Sequence, residues 1–329
     1  MSQVRGAVPK LVFFAVCMFG ATWSCLLPLE AQVNVNQIAT LKWYSANLVT
    51  SFPVGAGPAG VVFDGQNIWV ANGDGNSVTK LRATDGALLG TFPVGNDPFG
   101  LAFDGANIWV ANTDSNNVTK LRASDGAVLG TFTAGTEPAA VAFDGTYVWV
   151  ANNVSNNVMK MRVSDGAVLG TFPVGVQPAS VICDGPDIWV ANYSNGTGNG
   201  TVTKLKASTG AILGTFTVGV GPEGLAFDGV DVWVTNFESN TVTKIRAIDG
   251  VVLGTFSVGV NPVGVAFDGA NIWIANFNNG VGSGSVVKLN PRTGAVVGRF
   301  PVATGPLWLA FDGVNIWVDT FLTNSVAKM

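Results

Sequence analysis

FDGANIWVAN (103–112) returns six more times along the chain with light editing. The other copies are FDGQNIWVAN (63–72), FDGTYVWVAN (143–152), CDGPDIWVAN (183–192), FDGVDVWVTN (227–236), FDGANIWIAN (267–276) and FDGVNIWVDT (311–320). Their tryptophans, Trp69, Trp109, Trp149, Trp189, Trp233, Trp273 and Trp317, are 40, 40, 40, 44, 40 and 44 residues apart. A fixed period of that length holds four short strands with their turns and exceeds a leucine-rich repeat.

Working outward from 103–112, the unit divides itself. Residues 99–103 read as a first strand and Asp104-Gly105 as a hairpin turn, because Asp-Gly accepts positive φ. Residues 107–111 read as a second strand, 113–116 as a loop and 117–123 as a third strand. Asp125-Gly126 is another hairpin turn, and 128–133 a fourth strand. Ile108, Trp109, Val110 and Ala111 are apolar without alternation, the pattern of a strand covered on both faces. Seven four-stranded antiparallel sheets, each covered on both faces, predict an all-β, seven-bladed β-propeller with the tryptophans filling the gaps between blades.

The two ends of the repeat region predict how the ring closes. SVAKM (325–329) matches only a third strand, as in SVTKL (77–81). The missing fourth strand stands at the other end, where LVTSFPVG (48–55) matches LLGTFPVG (88–95). The last blade is therefore expected to be built from both ends of residues 47–329, which leaves few open edges. Residues 1–31, with Arg5 and Lys10 ahead of an apolar stretch, read as a secretory signal peptide. An uncleaved membrane anchor is the rival reading. Residues 32–46 are a polar lead-in, with Trp43 and Tyr44 expected on the edge of the body. The expected location is secreted, periplasmic or cell-surface, and the expected state a monomer.

VWVTN (232–236), the Val-Thr-Lys that follows it, and the Gly-x-x-Pro before each first strand resemble the YVTN-type repeat propellers. They are also similar to NHL-repeat and streptogramin-lyase-like propellers. The resemblance covers roughly residues 48–329 and implies the fold more than the function, because such scaffolds host many activities. Streptogramin lyases are understood to use magnesium and a histidine general base. This chain has no histidine, so the resemblance transfers no catalytic residue.

The same absence removes Ser-His-Asp and Cys-His catalysis and imidazole metal sites. Any enzyme here would rely on carboxylates such as Asp97, Glu137 or Glu223. A net charge of −4 speaks against binding to nucleic acid. Cys183 stands alone among the repeats and reads as a small buried residue. The pairs Lys80/Arg82, Lys120/Arg122, Lys160/Arg162, Lys204/Lys206 and Lys244/Arg246 read as a solvated rim, with arginine reaching the nearby Asp-Gly turn. Asn72-Gly73-Asp74-Gly75-Asn76 spaces oxygen side chains as calcium loops do but lacks the later glutamate. No resident cofactor is expected, magnesium or calcium being the alternative.

The Asp-Gly turns belong to one face of the ring, and their aspartates read as turn residues. The opposite face carries loops that differ between copies. Those at 192–200 and 276–284 are four residues longer and flank blade five. Variable loops on a rigid repeat are where binding resides. The candidate ligand-binding residues are Tyr193, Glu223, Phe237, Glu238, Asn261, Phe277 and Trp308. Trp308 falls where the other copies have Gly, Ala or Ser, and either caps the channel or packs under the closing strand. The expected partner is a glycan, a peptide or another envelope protein. A carboxylate- or magnesium-dependent lyase or hydrolase and a structural surface-adhesion unit are the alternatives.

Overall fold

The computed structural model describes residues 49–194 and 198–329. Residues 1–31, expected to be a signal peptide, and the expected lead-in with Trp43 and Tyr44 lie outside the described residues. Seven four-stranded antiparallel sheets form a ring, the seven-bladed all-β propeller that the repeat predicts. In blade two the strands are Pro98–Phe103, Asn107–Asn112, Asn117–Arg122 and Val128–Thr133, in that spatial order. Blade seven takes Pro306–Phe311, Ile316–Thr320 and Ser325–Lys328 from one end of the repeat region and Thr50–Pro53 from the other. Phe52 faces Val326 in that last pairing, and the ring closes through its own ladder. Among the described residues no helix is long and apolar enough to cross a membrane.

The Asp-Gly turn is more than a turn. Asp104 Oδ1 accepts the backbone N–H groups of Ala106 and Asn107, which fixes the hairpin. Its Oδ2 accepts the indole N–H of Trp109 at 2.8 Å. The same carboxylate-to-indole bond recurs in all seven blades at 2.7–2.8 Å. Burial alone would raise the Asp104 carboxyl. The bonds from Trp109, Asn107 and Ala106 outweigh burial and hold it below the usual carboxylate range.

Each tryptophan is buried and packs across a seam. Trp109 and Val118 of blade two share a core with Val141, Val148 and Met161 of blade three. The fourth-strand phenylalanine of the same blade lies on the indole, as Phe132 lies on Trp109 at 5.6 Å between ring centroids. That phenylalanine also needs room on its far side. Phe132 covers Gly166 of blade three, where φ is +70° and a Cβ would fall 2.2 Å from the ring. Glycine there answers both demands at once.

The third-strand lysines do not form a solvated rim. Lys80 is 6% exposed, and Lys120, Lys160 and Lys204 are equally buried. Lys80 Nζ lies 5.0 Å above the centre of the Trp69 ring and donates to the carbonyl of Ala123 in blade two. Lys120, Lys160, Lys204 and Lys244 each reach the next blade in the same way. Lys328 of blade seven reaches Ala83 and Thr84 of blade one. A buried ammonium is tolerated because carbonyls and an aromatic face replace its water. Arginine behaves as expected: Arg82, Arg122, Arg162 and Arg246 pair with the aspartates of the second turn at 2.7–3.0 Å.

Replacing Trp109 by alanine empties a buried seam and leaves Asp104 Oδ2 without its donor. Urea unfolding should report a loss of about 3–5 kcal/mol.

Candidate functional site

Side chains from three successive blades meet on the loop face around blade five. Tyr193 follows the second strand of blade four, and its backbone is tied to Gln177. Its Oη donates to Glu238 Oε1 of blade five at 3.0 Å. Both side chains crowd Gly221, where an added Cβ would lie 3.1 Å from Tyr193 and from Glu238. Phe237 stands beside Glu238, and its ring lies 6.5 Å from that of Phe277 of blade six. Asn261 is buried. Its amide donates to the Phe237 carbonyl and accepts the backbone N–H of Asn279, so it holds the two loops together.

Glu223 opens the first strand of blade five and is half-buried. Among the described residues no donor meets its carboxylate. Burial, and secondarily the negative charge of Glu238, push it up to about 7. Burial also raises Tyr193, to about 12. Its bond to Glu238 and the charges of Glu238 and Glu223 add to that, so Tyr193 stays a neutral donor. The cluster is acidic and aromatic, with one carboxyl able to gain or lose a proton near neutral pH.

Trp308 lies elsewhere. It lines the central channel, a space of about 190 Å³ walled by the first strands. There it meets Phe99 of blade two edge-on, at 5.9 Å and 87°. Among the described residues no contact joins it to Tyr193, Phe237 or Phe277. Phe99 escaped the sequence reading because five of its six counterparts, Ala59, Ala139, Ala179, Val263 and Leu307, are apolar too. Asp319 also escaped it, although it alone replaces the alanine or threonine that precedes the last residue of each motif.

The other acidic positions form a separate group over blades one to three. Burial pushes the Asp97 carboxyl up, and Asp114, Asp74 and Glu137 add to the effect. Asn72, first residue of the calcium-like stretch, turns inward and donates to Ser77 and Thr79. Among the described residues no cluster of three or more acidic or thiol side chains is arranged to hold a metal. Cys183 is half-buried. Burial pushes its thiol up to about 12, Asp144 and Asp184 assisting, which leaves it protonated and inert.

Further grooves lie on the opposite, turn-bearing face. One of about 820 Å³ runs between blades one and two, and one of about 620 Å³ between blades seven and one. Several of their polar side chains are engaged within the fold: Lys80 holds Ala123, Arg122 holds Asp125, and Asn107 holds Asp104. These grooves are the outward expression of the seams.

No family model matches the chain, and no curated protein matches it in sequence. Solved structures match it in fold. Hydrazine synthase of Kuenenia stuttgartiensis aligns with a TM-score of 0.73 at 19% identity, over 86% of this chain and 97% of that one. A streptogramin B lyase aligns with a TM-score of 0.71 at 16% identity, over 85% and 96% of the two chains. A catalytically inactive histidine-to-alanine variant of virginiamycin B lyase from Staphylococcus aureus with quinupristin gives 0.70 at 16%, over 85% and 98%. Identities this low establish the shared propeller and nothing finer.

A carboxyl held at about 7 in the folded chain gives a stabilisation present below the ordinary carboxylate range and lost as pH rises through 7. Thermal unfolding between pH 5 and 8 should therefore be less pH-dependent in Glu223→Gln than in the unaltered chain.

Proposed function

We propose that this chain is a secreted or cell-envelope binding module that engages its partner through the loop face of blades four to six. The observation that carries the reading is the convergence of Tyr193, Glu238, Phe237 and Phe277 from three blades. Asn261 positions the loops. Aromatic rings beside carboxylates suit stacking on a sugar ring or clasping a polar peptide side chain. The partner is a glycan, a peptide or another envelope protein, and the propeller acts as a monomer. The secreted or envelope location rests on the charged, then apolar, pattern of residues 1–31.

A second reading draws on Glu223. A carboxyl near 7 beside Glu238 and Tyr193 has the proton affinity that general acid–base work needs at neutral pH. The virginiamycin B lyase variant is inactive when a histidine becomes alanine, and this chain contains no histidine. An enzyme on this scaffold would therefore use carboxylates, with or without magnesium.

Two measurements separate the readings. In glycan and peptide binding screens, the double exchange Tyr193→Ala with Phe277→Ala should abolish whatever binding the unaltered chain displays, with little change in melting temperature. Undiminished binding would remove the site from these loops. Thermal unfolding after chelation, then with magnesium or calcium restored, should stay unmoved. An ion at about 100 times its dissociation constant would add about 2.7 kcal/mol and put the metal-assisted enzyme first.

A further inference from the structure

The seam between blades seven and one contains a buried carboxyl that the binding site does not use. Asp319 is 0% exposed, and its Oδ1 accepts the backbone N–H groups of Leu307 and Trp308. The ladder explains why those amides need an acceptor. Pro306 pairs with Thr320 and Leu309 with Val318, and the bulge leaves 307 and 308 without ladder partners. Asp319 Oδ2 is buried and has no partner among the described residues.

Blade five shows which groups the equivalent side chain bonds. Thr235 occupies the position equivalent to Asp319. Its hydroxyl accepts the N–H of Gly224 in its own first strand and donates to the carbonyl of Val263 in the next blade. For Asp319 the equivalent amide is that of Trp308, and the equivalent carbonyl is that of Ala59 in blade one. The first strand of blade one packs against the second strand of blade seven. An ionised carboxylate facing a carbonyl would be repelled, whereas a carboxylic acid can donate to it.

We propose that Asp319 is a protonated latch whose Oδ2 donates its hydrogen to the Ala59 carbonyl, fastening the closing seam until base removes that proton. No charged neighbour offers an alternative partner. The first strand of blade seven and that of blade one carry no titratable side chain, nor does Thr50–Pro53. Lys328, on the third strand, is committed to Ala83 and Thr84. Burial pushes Asp319 up to about 8 against the lowering effect of the Trp308 and Leu307 amides, in accord with a neutral acid. The latch therefore stabilises fully below the ordinary carboxylate range and is lost as pH rises through about 8.

The test uses the full chain carrying Glu223→Gln, which removes the other elevated carboxyl. Its melting temperature should fall as pH rises from 5 to 9. Adding Asp319→Asn should leave the pH 6 value in place and flatten the fall, because asparagine can accept both amides and still donate from Nδ2. A fall that persists unchanged in Asp319→Asn overturns the latch. Carboxyl carbon NMR of the unaltered chain, assigned by loss of the signal in Asp319→Asn, gives an independent reading. The signal should be that of a neutral acid at pH 6 and should titrate near pH 8. An ionised Asp319 at pH 6 would equally overturn the proposal.

Discussion

The hydrogen bond from a tryptophan indole to the aspartate of its own Asp-Gly turn is the constraint on which the ring depends. It joins a local requirement to a tertiary one. The carboxylate closes the hairpin with one oxygen and orients the seam-filling ring with the other. A fixed indole then presents one face to a phenylalanine and another to a lysine, and both extend the contact toward neighbouring blades. A buried indole N–H without an acceptor would cost about 1–3 kcal/mol, and a mobile indole would not pack the same way seven times.

The proposed binding site lies where this regularity is relaxed. The turn face commits its aspartates and third-strand lysines to the fold, and its grooves follow the seams between blades. The opposite face varies more between copies, although its loops are also tied from blade to blade, as Asp97 is to Asn76 and Thr113 to Pro138. Tyr193 and Phe277 follow second strands whose loops have four extra residues, and they lean toward blade five from either side. In the proposed site the rigid ring supplies position, and the loops supply the side chains.

The blades, the Asp-Gly turns and the split seventh blade were legible in the sequence because spacing alone specifies them. The buried lysines were not. Lys80 and Arg82 share a strand face, but one lies over the indole and the other passes beyond the blade edge, a difference strand periodicity does not encode. A signal was nevertheless present. The lysine recurs in every copy, through Lys288 and Lys328, while the arginine position changes to Lys206 and Asn290. In the candidate site, the longer loops pointed to blade five, but Tyr193 meets Glu238 across 45 residues, a pairing that depends on how neighbouring blades splay. Asp319 was hidden for another reason: it sits in a second strand where the other copies carry alanine or threonine, and its role shows only once its two amide donors are known.

The inter-blade lysine bonds all run the same way round the ring, from the third strands of six blades to the blade that follows. The two flanks of a blade are therefore unlike one another and complementary, a head-to-tail contact of the kind that makes either a closed circle or an open spiral. Closure at seven requires each contact to turn the next unit by about 51°. Blade number is thus written into the shape of every junction and not only into the length of the chain. Excising one 40-residue unit would ask all the remaining junctions to change angle together.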